Sequence, residues 1–341
     1  MTMTKPLDEL FTNSLACDDN HVAHHPLLML RKASLVEVMR FTEQKSDANY
    51  ALAQLREMFS IASWWGDAKR LEKFFQLAGE LQFWMLAEAN GVPIARVPEA
   101  KTKMPDFRLN STAAWAPRFE VKTLSVVHGF RNIDAMMEGA VESQIDLDAQ
   151  QARGVTFATN EQELSTHGHT ESDRSVTAMC ENLIDKTQNN IKGGQYSAAT
   201  TFLVLNLMLI DSARTGNSML RPVTPGWPNA WSVNTGVLWS VGFGHVDQLV
   251  HGEPEFEGKP AIEGRLGRQG ILENPDYQDV KGILFVMHSR SGVAIYGLWR
   301  SKDHTYWWDH EQDLADVLVK LTQNNYNDEL DTYGFNLSTA P

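Results

Sequence analysis

Cysteine is nearly missing from this chain: Cys17 and Cys180 are the only two in 341 residues. One pair so far apart makes neither a disulfide framework nor a zinc cage, both of which need several cysteines at short spacing. Long apolar runs are missing as well. The longest candidate, Phe202 to Ile210, is interrupted by Asn206 and is much shorter than the roughly 20 residues of a membrane-crossing helix, so it reads as a buried strand. The first residues hold Asp8, Glu9, Asp18 and Asp19 instead of the basic-then-apolar layout of a secretory signal, and the expectation is a cytoplasmic protein with no membrane partner. Positive charge is scarce: a formal net charge of −13 counts against a protein that coats nucleic acid, since such binding is driven by Lys and Arg neutralising phosphates. A phosphate-binding P-loop, a dinucleotide fingerprint and a serine nucleophile elbow are also absent, which leaves nucleotide-driven and serine-hydrolase readings without support.

What is present is enough apolar sequence, 43%, to bury a sizeable core, as one large domain or a core with attached elements. From about Pro26 to Gly91 apolar residues recur at three and four spacing, as in Leu52, Leu55, Met58, Phe59 and in Phe74, Leu77, Leu81, Trp84, which predicts helices stopped by Gly91 and Pro93. Strands are predicted at Val92 to Val97, Met104 to Leu109 and Arg118 to Val127. A helix from Asn132 to Ala152 and a polar loop from Thr156 to Asp173 follow. Helix resumes from Val176 to Lys192, ends at Gly193-Gly194, and gives way to the strand from Thr200 to Ile210. Between Arg214 and Gly282 the glycines and prolines suggest loops and short strands. Gly282 to Trp299 reads as a hairpin turning at Ser291-Gly292, followed by the aromatic cluster Tyr306, Trp307, Trp308 and a last helix from Gln312 to Gln323. The expectation is an α/β fold with a mixed sheet: an N-terminal helical region (1–69), a core (70–211) with an acidic insertion near 132–175, and a β-rich C-terminal region with a final helix (212–341).

The most informative stretch is Pro105-Asp106 followed, after a turn, by Phe119-Glu120-Val121-Lys122. Side chains two apart on a strand share a face, so Glu120 and Lys122 project together while Val121 points into the core. With Asp106 on the neighbouring strand, two carboxylates come side by side and repel as anions, a repulsion that a hard divalent cation relieves by binding both. A lysine beside them supplies a proton donor and a charge for a water or a phosphoryl oxygen. The stretch is locally basic: Arg96, Lys101, Lys103, Arg108, Arg118, Lys122 and Arg131 outnumber Glu99, Asp106 and Glu120. Lys101, Lys103, Arg108 and Arg118 are therefore candidate contacts to nucleic acid.

This pattern resembles the PD-(D/E)xK nuclease superfamily, the restriction-endonuclease-like proteins. The resemblance extends to element order, because that core is a helix, three strands, a helix and a strand, as read here from about Arg70 to Asp211. It implies metal-dependent hydrolysis of phosphodiester bonds, with Asp106, Glu120 and Lys122 catalytic and Mg²⁺, for which Mn²⁺ can substitute, held by Asp106, Glu120 and the Val121 carbonyl. Glu80 matches the glutamate that the first helix often carries toward the metal, as an outer ligand or the holder of a second ion. Lys186 and Gln188 are candidates for the auxiliary polar residue from the helix after the motif strand. The implied partner is nucleic acid, DNA ahead of RNA, with a homodimer or a protein partner as further options. An endonuclease of restriction, repair or anti-phage defence is the leading reading. The alternatives are an RNA-cleaving member of the same fold, and a catalytically inactive scaffold or protein-binding module.

Three other constellations carry less. His167, His169 and Asp173 sit in the polar loop and read as solvated. Trp227, Trp231, Trp239, Trp307 and Trp308 read as core before they read as base-stacking platforms. The basic loop Gly264 to Gly270 fits an exposed turn as well as a phosphate contact.

Overall fold

The computed structural model describes residues 32–61, 68–98, 104–124, 133–160, 176–192, 194–196, 200–209, 232–234, 237–254, 260–289, 292–300 and 304–326. The chain divides into two compact units, Met1–Gln82 with Phe130–Thr166, and Phe83–Gly129 with His167–Pro341. In the first unit the three-and-four apolar spacing yields α1 (Lys32–Gln44), a short 3-10 turn (Ser46–Ala48), α2 (Asn49–Phe59) and the start of α3 (Ala68–Ala89). Leu52, Leu55 and Met58 of α2 are buried, as are Leu71, Phe74, Leu77 and Leu81 of α3, and the rings of Phe59 and Phe74 lie 6.2 Å apart. Helix α4 (Ile133–Ala152) also belongs to this unit.

The second unit contains β1 (Ile94–Arg96), β2 (Phe107–Leu109), β3 (Arg118–Thr123), α5 (Val176–Asn190), β4 (Thr201–Asn206), β5 (Ser232–Asn234), α6 (Val237–Phe243), β6 (Leu249–Pro254), β7 (Pro260–Arg265), β8 (Val280–Ser289), β9 (Gly292–Trp299), α7 (His304–Leu321) and β10 (Asn324–Tyr326). Seven strands form one sheet in the order β1-β2-β3-β4-β8-β9-β10, and β5-β6-β7 form a second. The large sheet is mixed: β1, β2 and β3 pair antiparallel, β3, β4 and β8 parallel, β8 and β9 antiparallel, and β9 and β10 parallel. The α/β expectation with a mixed sheet therefore holds. Every residue of β4 is buried, as a central strand between two parallel neighbours requires. Among the described residues no helix is long and apolar enough to cross a membrane.

Differences from the sequence reading lie mainly toward the C-terminus. The last helix starts at His304, so Tyr306, Trp307 and Trp308 lie inside it, and it ends at Leu321. A seven-residue helix, α6, occupies the stretch read as loops and short strands; all seven residues are buried, so packing overrides weak local propensity. β10 was not foreseen, because three residues carry no periodicity to read. Arg268 forms a two-pronged ion pair with Asp185 of α5, and Gly267 N–H donates to Glu181 Oε1 at 2.6 Å, so the Gly264–Gly270 loop is anchored on α5 instead of standing free.

Strand register sorts side chains onto the two faces of the large sheet. Phe119, Phe202, Gly282 and Trp299 align across β3, β4, β8 and β9 on one face. There Phe83 and Trp84 of α3 pack on Phe107 and Phe119, with ring centroids 5.3 to 6.2 Å apart. The opposite face aligns Glu120 with Leu203 and Ile283, and Lys122 with Leu205 and Phe285. Met179, Cys180, Leu183 and Ile184 of α5 and Trp239 and Phe243 of α6 share a core with those four apolar side chains. Gly282 is what lets the Phe202 ring lie flat across β8: an added Cβ would fall 2.5 Å from the Leu298 carbonyl oxygen and 2.8 Å from the ring. Gly282→Ala is expected to destabilise the protein by about 1–3 kcal/mol, read as a lowered midpoint in urea unfolding, because the nearest atom is backbone and cannot step aside.

Candidate metal centre

The site begins where the β2–β3 hairpin opens. Phe107 pairs with Phe119 and Arg108 with Arg118, so the antiparallel register places Asp106, just before β2, opposite Glu120. There the ladder is completed by a side chain: Asp106 Oδ2 accepts the Val121 N–H at 2.9 Å. The Asp106 carbonyl meanwhile accepts from Val97 N–H at 2.9 Å, which pins the residue from the β1 side. Alternation along β3 turns Phe119 and Val121 to the aromatic face and Glu120 and Lys122 to the other, as the sequence predicted. Asp106, Glu120 and Lys122 are thus brought together.

Glu120 is 1% exposed, yet it is a carboxylate. Its Oε1 accepts from Lys122 Nζ and, at 2.7 Å, from Gln195 Nε2. Its Oε2 is buried and has no hydrogen-bond partner among the described residues, and the same holds for Gln195 Oε1 and the Tyr196 hydroxyl. Burial, and then the neighbouring Asp106 charge, push the Glu120 carboxyl up to about 7, against the pull of Lys122 and Gln195. Burial also lifts Asp106 above its ordinary value, opposed by the Val121 N–H and by the charges of Lys122 and Arg96. The Tyr196 hydroxyl is raised by burial and then by both carboxylates, so it lies within electrostatic reach of the pair. A buried carboxylate with one orphaned oxygen and a half-buried one beside it form an all-oxygen donor set short of positive charge, which fits a hard divalent cation. Among the described residues no group of three or more His, Cys, Asp or Glu side chains gathers, so the remaining ligands of such an ion would be the Val121 carbonyl and water.

The remaining candidates are distributed as follows. Register places Arg108 and Arg118 on the same face as Glu120, Arg108 exposed and Arg118 partly so, and neither forms an ion pair among the described residues. Lys101 and Lys103 lie outside the described residues, as do His167, His169, Asp173, Trp227 and Trp231. Glu80 lies on α3 in the first unit, is buried, and accepts from Gln76 Nε2 at 3.3 Å. Lys186 and Gln188 are partly buried on α5, and burial lowers the Lys186 ammonium below its ordinary value. The amide that reaches Glu120 belongs to Gln195, beyond the end of α5. Sequence reading missed Gln195 and Tyr196 because they belong to no element. The available signal was Gly194, whose φ of 91° marks a turn that swings the next residues back toward β3. Comparison with protein-family models, with curated proteins and with solved structures finds no match for the chain.

The raised Glu120 value sets a pH dependence with a definite sign. A carboxyl whose folded pKa lies above its unfolded one favours folding while protonated, so its contribution is complete below 4.5 and is lost as pH rises to about 7. Relative to Glu120→Gln in metal-free buffer, the wild-type unfolding free energy should fall across that window by on the order of 3 kcal/mol and then level off. Paired urea titrations between pH 4 and 8, on the order of five points, would read it; a difference that stays flat removes the buried, uncompensated carboxylate.

Proposed function

We propose that this chain is a metal-dependent phosphodiesterase of the PD-(D/E)xK kind, hydrolysing nucleic acid with DNA ahead of RNA. The observation that carries the reading is the pair Asp106 and Glu120, held at the open end of a hairpin with Lys122 beside them and Glu120 Oε2 buried without a partner. The order α3, β1, β2, β3, α5, β4, with α4 inserted, supports a restriction-endonuclease-like core within the mixed sheet.

In this reading Asp106, Glu120 and the Val121 carbonyl would hold Mg²⁺ or Mn²⁺, with water completing the shell. The ion, when bound, supplies charge neutralisation and a lowered pKa for water. Lys122 would release Glu120 Oε1 and turn its ammonium to the attacking water and the phosphoryl oxygen, where negative charge grows as the new P–O bond forms and the old one breaks. Gln195 would keep Glu120 in place throughout, since its amide grips the oxygen that Lys122 shares. Arg108 and Arg118, on the same face, would seat the flanking phosphates, giving binding with a marked salt dependence.

The deciding experiment is incubation with plasmid, linear and single-stranded DNA and with RNA, each with Mg²⁺, Mn²⁺ or EDTA. Cleavage that needs metal supports the reading, and the preferred polymer names the substrate; no cleavage of any polymer would leave a scaffold. Asp106→Ala should abolish cleavage together with calorimetric Mn²⁺ binding. Lys122→Ala should lower cleavage about 100- to 1,000-fold while Mn²⁺ still binds, because lysine is not a ligand. Full activity in either variant sinks the mechanism. Gln195→Leu, which keeps the bulk and removes the donor, should weaken Mn²⁺ binding roughly tenfold or more, as loss of a residue that orients a ligand does.

A further inference from the structure

We propose that α4 and the segment behind it form a docking surface for a basic amphipathic segment of a partner protein. Six large apolar side chains stand exposed among the described residues, and four of them are here: Val141, Ile145, Val155 and Phe157. Ile145 is 63% and Phe157 84% exposed. Single exposed apolar residues are ordinary, but a cluster on one short stretch marks an interaction site. Val141, Ile145, Ala149 and Ala152 fall at helical spacing and are all exposed, so an apolar row runs along the outside of the helix, while Ser143 is turned inward and buried.

The segment after the helix is fixed against it. Gly154 takes φ 82°, its N–H bonds Gln151 O at 2.8 Å, and Val155 N–H bonds Gln150 O at 3.3 Å, a Schellman closure that turns the chain back. The Gln150 side chain then brackets Thr159, donating to its carbonyl at 2.9 Å and accepting from its N–H at 3.2 Å. Asn160 adds a bond to Asp146 Oδ2 at 3.0 Å. Phe157 is therefore presented in an ordered turn, and a partner that covers it has less conformational entropy to remove.

Charge selects the occupant. Beside the apolar row α4 exposes Glu142, Asp146 and Asp148, against a single cation, Arg153, in the segment from Val141 to Asn160. Bonds from Asn160 and Gln150 hold Asp146 below its ordinary pKa, so it stays ionised. Nucleic acid and anionic lipid are repelled by this helix. A second copy packed across a twofold axis would set these carboxylates against their own images. A segment with Lys or Arg on one side and large apolar residues on the other satisfies both the apolar row and the acidic flank. This inference does not rest on the metal centre.

The test uses the full chain and a fluorescently labelled synthetic helix with leucines at three- and four-residue spacing and lysines elsewhere, beside a second peptide with glutamine replacing lysine. Anisotropy should show the lysine peptide bound, and the glutamine peptide about tenfold weaker or more. The double substitution Ile145→Ser, Phe157→Ser should weaken lysine-peptide binding about tenfold, and Glu142→Gln should weaken it measurably without touching the apolar row. Val246→Ser, Val319→Ser, which alters the other exposed apolar side chains, should leave it unchanged. Circular dichroism checks that every variant is folded, as substitutions at exposed positions should be. Equal binding by Ile145→Ser, Phe157→Ser, or equal binding of the glutamine peptide, overturns the proposal. Sedimentation that shows self-association abolished by the same double substitution also overturns it, in favour of a second copy of this chain.

Discussion

The carboxylate of Glu120 lies out of water on a strand whose partners across the sheet on that face, Leu203 and Ile283, are apolar. A charge in that position is tolerated only with compensation. The chain provides it in two ways, an ammonium two residues along the same strand and an amide brought back from beyond α5, while a second carboxylate, tied down by a main-chain N–H, works against them. The compensation remains incomplete, because one oxygen of Glu120 lacks a partner among the described residues and the two anions still oppose each other. An unfilled electrostatic demand on a rigid support is the physical condition for binding a cation.

Rigidity comes from the other face of the same strand. Phe119 is locked between Phe83 and Phe202, so the backbone that carries Glu120 cannot shift without disturbing an aromatic layer. The alternation that sends Phe119 and Val121 inward is the one that sends Glu120 and Lys122 to the site. A one-residue slip of β3 would exchange the two sets, put the lysine into the aromatic layer and take the phenylalanine out of it, and the parallel register with β4 over six positions forbids it. The candidate site and the core packing are specified by the same register.

Much of this was readable in the residues because it rests on local periodicity. The period of two over Phe119 to Lys122, the turn between the two motifs, and the three-four spacing of Leu52 to Leu81 each determine which side chains share a face. The order of elements from α3 to β4 and the hairpin of β8 and β9 from Gly282 to Trp299 needed nothing more than stop signals and alternation. Gln195 and Tyr196 were not readable, since what brings them to Glu120 is the path of a turn, and a turn's direction is set by tertiary contacts that a single sequence does not display. α6 escaped for a related reason: seven residues give too few turns to establish a period, and its helicity follows from complete burial. The start of α7 was misjudged because Tyr306, Trp307 and Trp308 in succession mask the helical spacing around them.

The parallel pairing of β3 with β4 has a consequence for the order in which this protein is made. During synthesis the ribosome releases Asp106, Glu120 and Lys122 together, but the strand that flanks β3 on its far side, and the Gln195 amide, emerge only after α4 and α5 have been translated. Until then β3 offers a bare edge, and its carboxylate lacks one of its two hydrogen-bond donors. The nascent chain therefore carries these three residues well before it carries all that holds them, and their arrangement is completed late in folding, when β4 and the Gln195 turn join β3.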